Sequence, residues 1–155
     1  MGRTSDRPAE AEIFHFDQSD ALLRKVMENA AVGMALISLD RRLLYVNSAF
    51  SEMLGYDKRS CLGLEMEAFI HPECDAALAF QLDRLVVGEI DDHRSECRLR
   101  HHDGSPVWTL ASASALRSDT TGNRLYIILQ VVSIERQKRA EAALAYTESR
   151  WNFAL

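Results

Sequence analysis

The chain has 155 residues, the length of one typical domain. Apolar residues make up 47% and charged residues 26% of it, which is ordinary for a globular protein and excludes disordered, collagen-like and disulfide-rich chains. The net charge of -5 excludes a basic footprint for nucleic acid over the whole domain.

A flexible segment and an amphipathic helix open the chain. Residues 1–19 mix charged, polar and small side chains and predict a flexible lead. Leu22, Leu23 and Val26 then recur at helical spacing, which predicts a helix over about residues 20–30. The folded domain is therefore expected to begin at residue 20.

Two short strands and a short helix come next. The apolar runs 34–39 and 43–46, separated by a polar turn, predict paired strands. Asn47 offers an N-cap for a helix over residues 49–54, and Gly55 offers its end. The order so far is helix, strand, strand, helix.

Two single helical turns, at 60–64 and 67–70, are predicted to precede a longer helix. Pro72 is expected to start that helix, because proline favours the first helical position, and Gly88 is expected to end it. Its predicted apolar face consists of Ala76, Ala77, Phe80, Leu82, Leu85 and Val86.

Three strands complete the predicted domain, over residues 94–100, 107–116 and 125–134. Asp103 and Gly104 form a strong hairpin signal between the first two. An antiparallel sheet with its helices gathered on one face gives an α+β fold.

A terminal helix is predicted from Glu135, because residues 135–150 are rich in Glu, Arg, Lys and Ala without Gly or Pro. Heptad spacing gives one seam of Ile134, Gln137, Glu141, Leu144, Glu148 and Trp151. Only half of this seam is apolar, so an autonomous coiled coil is not expected.

Four segments in this order resemble a bacterial PAS sensory domain. They are Glu28–Ala30 with Val32–Ala35, Tyr45–Asn47 with Phe50 and Met53–Tyr56, His71–Glu73, and the hairpin Glu96–Trp108. The resemblance covers about residues 25–138 and is nearest to PAS modules N-terminal in bacterial diguanylate cyclases and in proteins that pair cyclase with phosphodiesterase domains. It implies a PAS domain over 20–134, with a five-stranded antiparallel sheet, short helices on one face, and an N-terminal helix.

The resemblance also implies a signalling helix over residues 135–155 that leads to a further domain. Many family members end the last strand in Asp-Ile-Thr or Asp-Ile-Ser, and the matching residues here are Ser133, Ile134 and Glu135. The acidic group is missing from the first position, and we expect Glu135 to replace it in signal transfer. Residues 149–155 resemble the first helix of a second PAS domain, so the chain is expected to be a fragment.

No sequence motif indicates an enzyme: the chain has no glycine-rich phosphate loop, nucleophile elbow or metal motif of known spacing. Asp91, Asp92 and His93 are interpreted as a solvated turn. We therefore expect no metal and no catalytic residues, and any catalysis would lie in an output domain outside this chain.

The strand at 107–116 suggests a ligand pocket. By similarity to light-sensing family members, Thr109, Ala111 and Ala113 point inward, and such small side chains favour a cavity; the alternative is tight packing by aromatic residues. The candidate pocket residues are Ile37, Phe50, Met53, Met66, Phe69, Phe80, Cys97, Leu99, Thr109, Ala111, Ala113, Leu129 and Val131.

The cofactors of known family members fit poorly. Met66 stands where flavin photoreceptors carry their reactive cysteine, and Leu99, Thr109 and Val131 replace the polar flavin contacts. Haem-binding members use a histidine in the long helix, and residues 75–87 contain none. The cofactor is therefore unknown, haem and flavin-adduct chemistry are disfavoured, and a colourless protein is expected.

The outer side of the sheet predicts a homodimer, because apolar residues gather there. The candidates are Trp108, Leu110, Tyr126 and Ile128 on the sheet and Leu22, Leu23 and Val26 on the first helix, which would cover the sheet in the same chain or in a second copy.

These observations predict a sensory module that binds a small ligand or a partner and signals through a dimer and its C-terminal helix. The expected output is cyclic-di-GMP turnover or a histidine kinase, in the same polypeptide. The alternative is a ligand-free dimerisation or scaffold module. Three cysteines without paired spacing and the absence of a 20-residue apolar run predict a cytoplasmic chain without a membrane segment or nucleic-acid partner.

Overall fold

The computed structural model describes residues 18–72 and 77–153. Residues 1–17 of the expected lead and residues 73–76, where the long helix is expected to begin, lie outside the described residues. The helices are α1 (Gln18–Asn29), α2 (Ser48–Leu54), α3 (Lys58–Cys61), a 3₁₀ turn (Met66–Phe69), α4 (Ala77–Val87) and α5 (Glu135–Phe153). The strands are β1 (Gly33–Ile37), β2 (Leu43–Val46), β3 (Asp92–Arg100), β4 (Pro106–Arg117) and β5 (Arg124–Ser133).

The five strands form one antiparallel sheet in the order β2-β1-β5-β4-β3. β4 is the longest strand, with 12 residues, and it pairs with β3 on one side and β5 on the other. The β3–β4 hairpin closes where the His101 amide donates to the Ser105 carbonyl at 2.8 Å. The predicted α+β class is therefore confirmed.

Helix α2 has the predicted caps. The Asn47 side chain accepts a hydrogen bond from the Phe50 amide, and Gly55 ends the helix with a φ of 72°. A side chain at Gly55 would also meet the ring of His101, at 2.5 Å from an added Cβ. Glycine is therefore required there both by the backbone conformation and by the hairpin packed against the helix end.

The two single helical turns begin earlier than predicted, at Lys58 and at Met66. The Asp57 carbonyl starts the first of them by accepting from Ser60 and Cys61. The segment after Cys61 is then recruited to β2, where the Leu43 amide donates to the Leu64 carbonyl at 2.9 Å. This long-range pairing, which sequence periodicity does not reveal, prevents a helix over residues 60–64.

The prediction for the face of α4 is wrong at Phe80. Leu78, Leu82 and Leu85 are buried, whereas Phe80 is 60% exposed and has the Arg84 guanidinium 6.0 Å from its ring centroid. At about 100° per residue, Phe80 lies about 160° around the helix from Leu78. The leucine spacing selects the buried face, and Phe80 falls on the other one.

The core lies between one face of the sheet and helices α2 and α4 with the 3₁₀ turn. Phe69 is central to it, since its ring meets Phe50 and Tyr56 edge-on at centroid distances of 6.0 and 5.0 Å. Along β4, buried and half-buried residues alternate, so one face of this strand belongs to the core and the other to the outer surface.

Candidate functional site

The structure brings nearly all the predicted pocket residues together in the core. Thr109, Ala111 and Ala113 are buried on β4, on the inward side that the family resemblance implies. Of the remaining candidates, Met53 is half-buried and packs against the same core, and Phe80 lies outside it. Those that are buried with β4 are Ile37, Phe50, Met66, Phe69, Cys97, Leu99, Leu129 and Val131.

The interior is closely filled and almost entirely apolar. Met66, Leu99 and Val131 have 0% exposed surface. Polar groups come from Thr109 and Cys97: the Thr109 hydroxyl donates to the Cys97 carbonyl at 3.1 Å and lies 3.4 Å from the Cys97 sulfur. A ligand that entered would therefore have to displace side chains and would find mainly apolar contacts.

An open groove borders this interior at the end of the sheet where α5 begins. Its volume is about 630 Å³, and its lining residues are Ala31, Ala49, Glu52, Met53, Pro106, Val107, Ser133, Glu135 and Arg139. Met53 and Val107 line the groove and also pack against the core. These two side chains consequently separate the groove from the interior.

Helix α5 is bonded to the sheet at Trp108. The Trp108 amide donates to the Glu135 carboxylate at 2.7 Å, and the Trp108 carbonyl accepts from the Ile134 amide at 2.9 Å. The carboxylate of Glu135, the third residue of the Ser133–Glu135 segment, thus holds the junction between β5 and α5. Both main-chain hydrogen-bonding groups of Trp108 are directed to the beginning of α5.

The indole ring of Trp108 contacts two cations. The Lys138 ammonium on α5 is 4.7 Å and the Arg98 guanidinium on β3 is 5.1 Å from the ring centroid. Lys138 also forms a 2.6 Å ion pair with Glu96, and this hydrogen bond raises the pKa of Lys138. We call Glu96, Arg98, Trp108, Ile134, Glu135 and Lys138 the Trp108 cluster; it joins β3, β4 and α5.

Sequence reasoning identified Trp108, Ile134 and Glu135 but missed Glu96, Arg98 and Lys138. The register of β3 on β4, in which Arg98 pairs with Trp108, is what brings the missed residues to the junction. The sequence offered one signal for these residues. Glu96 stands two positions before Arg98, so the two side chains lie on the same face of the strand.

Helix α1 is attached to the domain through Asn47, which is completely buried. The Asn47 amide nitrogen donates to the carbonyls of Met27 and Val32, at 2.8 and 2.9 Å. Its oxygen accepts from the amides of Met34 and Phe50, at 2.8 and 3.0 Å. One side chain therefore joins the end of α1, the start of β1 and the N-terminus of α2, with all its hydrogen-bonding capacity used.

Glu28 forms a second attachment of α1. Its carboxylate accepts hydrogen bonds from the hydroxyls of Tyr45 and Ser48 and from the ammonium of Lys58. Burial raises the pKa of Glu28, but the hydrogen bonds from Lys58, Tyr45 and Ser48 outweigh it, so the pKa is lower than usual. Glu28 is therefore ionised at neutral pH. The pKa of Tyr45 is raised, because its hydroxyl is partly buried and is hydrogen-bonded to Glu28.

The outer-face residues lie where strand alternation places them. Trp108, Leu110, Tyr126 and Ile128 are half-buried. On α1, Leu22 and Val26 are 66% and 61% exposed, so the described part of the chain does not bury them; the side chain of Leu23 lies outside the described residues. Within the described ranges, no helix combines the length and apolar character needed to cross a membrane.

Comparisons with known proteins agree with this architecture. The PAS fold family model matches residues 43–129. The chain is 34% identical over 131 residues to the probable diguanylate cyclase DgcE of Escherichia coli, covering 84% of this chain and 12% of that protein. It is 29% identical over 127 residues to the sensor histidine kinase TmoS of Ectopseudomonas mendocina, covering 81% of this chain and 13% of that protein.

Solved structures share the fold at low sequence identity. An RNA-binding light-oxygen-voltage receptor matches with a TM-score of 0.71 and 18% identity, over 96% of this chain and 42% of that one. A PAS domain of an HTR-like protein from Haloarcula marismortui matches with a TM-score of 0.60 and 21% identity, over 76% and 93% of the two chains.

The chain spans about an eighth of the length of the curated relatives it matches. The family model matches more than half of the chain. The matched residues include every strand except β1 and the last residues of β5. The strand order, the helices on one face and the sequence match point to the same conclusion. The chain belongs to the PAS fold family.

Proposed function

We propose that the chain is a cytoplasmic sensory module that binds a small ligand or a partner and transmits the change through a dimer and helix α5. The output domain would follow in the same polypeptide, and its class would be cyclic-di-GMP turnover or a histidine kinase, as the names of the two relatives suggest. Catalysis would belong to that output domain.

The two faces of β4 carry this proposal. Thr109, Ala111 and Ala113 face the core, while Trp108, on the outer face, is bonded to α5 through its amide, carbonyl and ring. A shift of β4 caused by a change in the interior would move the partner atoms of Glu135 and Lys138. The strand is therefore a direct mechanical connection between the core and the C-terminal helix.

The groove beside α5 supports entry of a small ligand. Met53 separates this groove from the core, and methionine is unbranched and adapts easily to new packing. Rotation of Met53 would open the interior from the groove. An apolar or weakly polar small molecule fits such an interior best, because Thr109 and Cys97 offer few polar contacts.

A ligand-free dimerisation or scaffold module is the second candidate. The observation that favours it is the close filling of the interior, with 0% exposed surface at Ile37, Phe50 and Met66. In that case only the outer face of β4 would take part in contacts between protein partners, and the structure of the core would not change.

Ala113→Phe distinguishes the two candidates. If the interior opens for a ligand at little cost, by rotation of Met53, the added ring takes the ligand's space, and the free energy of unfolding changes by less than about 1 kcal/mol. A core that stays closed is overpacked instead and loses roughly 1–3 kcal/mol. We expect the smaller change, and urea unfolding of the variant measures it.

Ala145→Phe is the matched control, because Ala145 is exposed on α5. It adds the same ring without entering the core and is expected to leave the unfolding midpoint unchanged. A clear loss of stability in Ala113→Phe, with none in Ala145→Phe, contradicts an interior ligand and leaves the scaffold module.

A further inference from the structure

Arg41 has an unfavourable backbone conformation in the turn between β1 and β2. Its φ is 67°, and within the described ranges no other residue except glycine has a positive φ. A Cβ disfavours this left-handed region, which glycine usually occupies. Because such a conformation persists only where surrounding contacts fix it, the contacts of Arg41 indicate what the strain maintains.

Arg41 connects three segments of the domain. Its amide donates to the Ser38 carbonyl at 2.9 Å within the turn, and its carbonyl accepts from the Met66 amide of the 3₁₀ turn at 2.8 Å. Its guanidinium lies 3.3 Å from the Glu67 carboxylate and also donates to the Asp83 carboxylate on α4. We call Arg41, Glu67 and Asp83 the Arg41 cluster; it joins the β1–β2 turn, the 3₁₀ turn and α4.

Helix α4 covers the core with few polar attachments. Leu78, Leu82 and Leu85 pack in the core, and the helix contacts β3, β4 and β5. Within the described part of the chain, Asp83 makes the only side-chain hydrogen bond or ion pair that joins α4 to a segment other than the loop after it. The polar attachment of α4 therefore depends on Arg41.

The guanidinium of Arg41 also neutralises two like charges. Its Nη1 atom contacts both Glu67 and Asp83, so these two carboxylates lie close together. Without the guanidinium they would repel each other. That repulsion would favour movement of α4 away from the 3₁₀ turn.

We propose that the Arg41 cluster keeps α4 closed over the interior and sets how readily the interior opens for a ligand. This inference rests on the proposed function and names the contact that regulates the same site. Because the interior is filled, a ligand that enters past Met53 needs additional volume. Strand pairing holds the sheet, whereas side chains hold α4, so outward movement of α4 supplies that volume and breaks the contact between Arg41 and Asp83.

Alkylation of buried thiols measures this movement in the whole 155-residue chain. Cys97 is buried on β3, which both α4 and the 3₁₀ turn contact, and Cys61 is buried on α3. Global unfolding exposes both thiols, whereas outward movement of α4 is expected to expose Cys97 alone. The ratio of the Cys97 to the Cys61 labelling rate with iodoacetamide, measured by peptide mass spectrometry, therefore reports the position of α4.

Arg41→Gln removes the cation and is compared with Arg42→Gln. Arg42 carries the neighbouring guanidinium, but it binds the Gly63 carbonyl and Glu65 instead of α4. We expect the labelling ratio to rise about three- to ten-fold in Arg41→Gln, a range set by the modest strength of half-exposed ion pairs. The ratio should stay at the parent value in Arg42→Gln.

Arg41→Gly separates control of α4 from overall stability. It removes the same ion pairs but also relieves the backbone, because glycine adopts a positive φ without a Cβ penalty. It should therefore unfold at a higher urea concentration than Arg41→Gln and still label Cys97 as fast. A purely structural role for Arg41 would instead make labelling fall as stability rises.

Salt dependence gives a second readout with opposite signs. Added salt weakens the ion pairs of the parent chain and should raise its labelling ratio, because exposed charges are screened. In Arg41→Gln, salt weakens the repulsion between Glu67 and Asp83 and should lower the ratio.

An unchanged ratio in Arg41→Gln, or the same change in Arg42→Gln, would overturn this role of Arg41. Labelling that falls when Arg41→Gly restores stability would overturn it as well. Neither result affects ligand binding itself, which is measured by the small molecule that the denatured protein releases.

Discussion

Asn47→Ala is expected to lower the free energy of unfolding by about 3 kcal/mol or more, because it leaves two amides and two carbonyls, all at least partly buried, without their partner. These groups belong to Met27, Val32, Met34 and Phe50. Chemical denaturation gives the loss directly, as a lower midpoint with an unchanged slope.

Asn47→Asp separates the two functions of this side chain. An aspartate oxygen still accepts from Met34 and Phe50, but it has no N–H to donate to Met27 and Val32. Helix α2 should therefore stay capped, while the end of α1 detaches and its amides exchange faster. Glu52→Ala, on the exposed side of α2, is the control; equal losses in all three variants would refute this role for Asn47.

Trp108→Ala is expected to loosen the beginning of α5, whose two main-chain hydrogen bonds to residue 108 remain, and to cost about 2 kcal/mol, from the ring's burial and its two cation contacts. The side chain is half-buried, and the cations of Arg98 and Lys138 lie close to its ring. Amide exchange should rise in residues 135–140 and remain unchanged in α4, whose Leu78, Leu82 and Leu85 pack in the core.

Two variants at Glu135 isolate the hydrogen bond to the Trp108 amide. Glu135→Gln keeps an oxygen acceptor and should retain most of the protection, whereas Glu135→Ala removes the acceptor and should lose it. If the exchange of residues 135–140 is the same in both variants and in the parent chain, the Trp108 cluster does not hold α5.

Local features of the fold could be predicted from the sequence because they depend on neighbouring residues. The cap at Asn47, the turn at Gly55 and the alternation along β4 are set by side chains within a few positions. The resemblance of the hairpin Glu96–Trp108 to the PAS family added the inward direction of Thr109, Ala111 and Ala113, which alternation alone leaves open.

Features set by distant residues could not be predicted. The first single helical turn ends at Cys61 because Leu64 pairs with β2, and the position of Lys138 depends on the register between β3 and β4. Phe80 was misplaced for a related reason: several faces of α4 are apolar, and only packing selects the leucine face. The pocket could be predicted only as a set of small residues on β4. Whether a cavity remains beside them depends on how far side chains from other elements fill that volume.

We propose that the interior of this PAS domain receives a small ligand whose presence is transmitted through β4. Mass spectrometry of the denatured protein, after exposure to extract of the cells that produce it, tests this most directly. We expect the parent chain to release a small molecule in near-stoichiometric amount and Ala113→Phe to release none. Protein that releases no small molecule, or releases the same amount from Ala113→Phe, would contradict it.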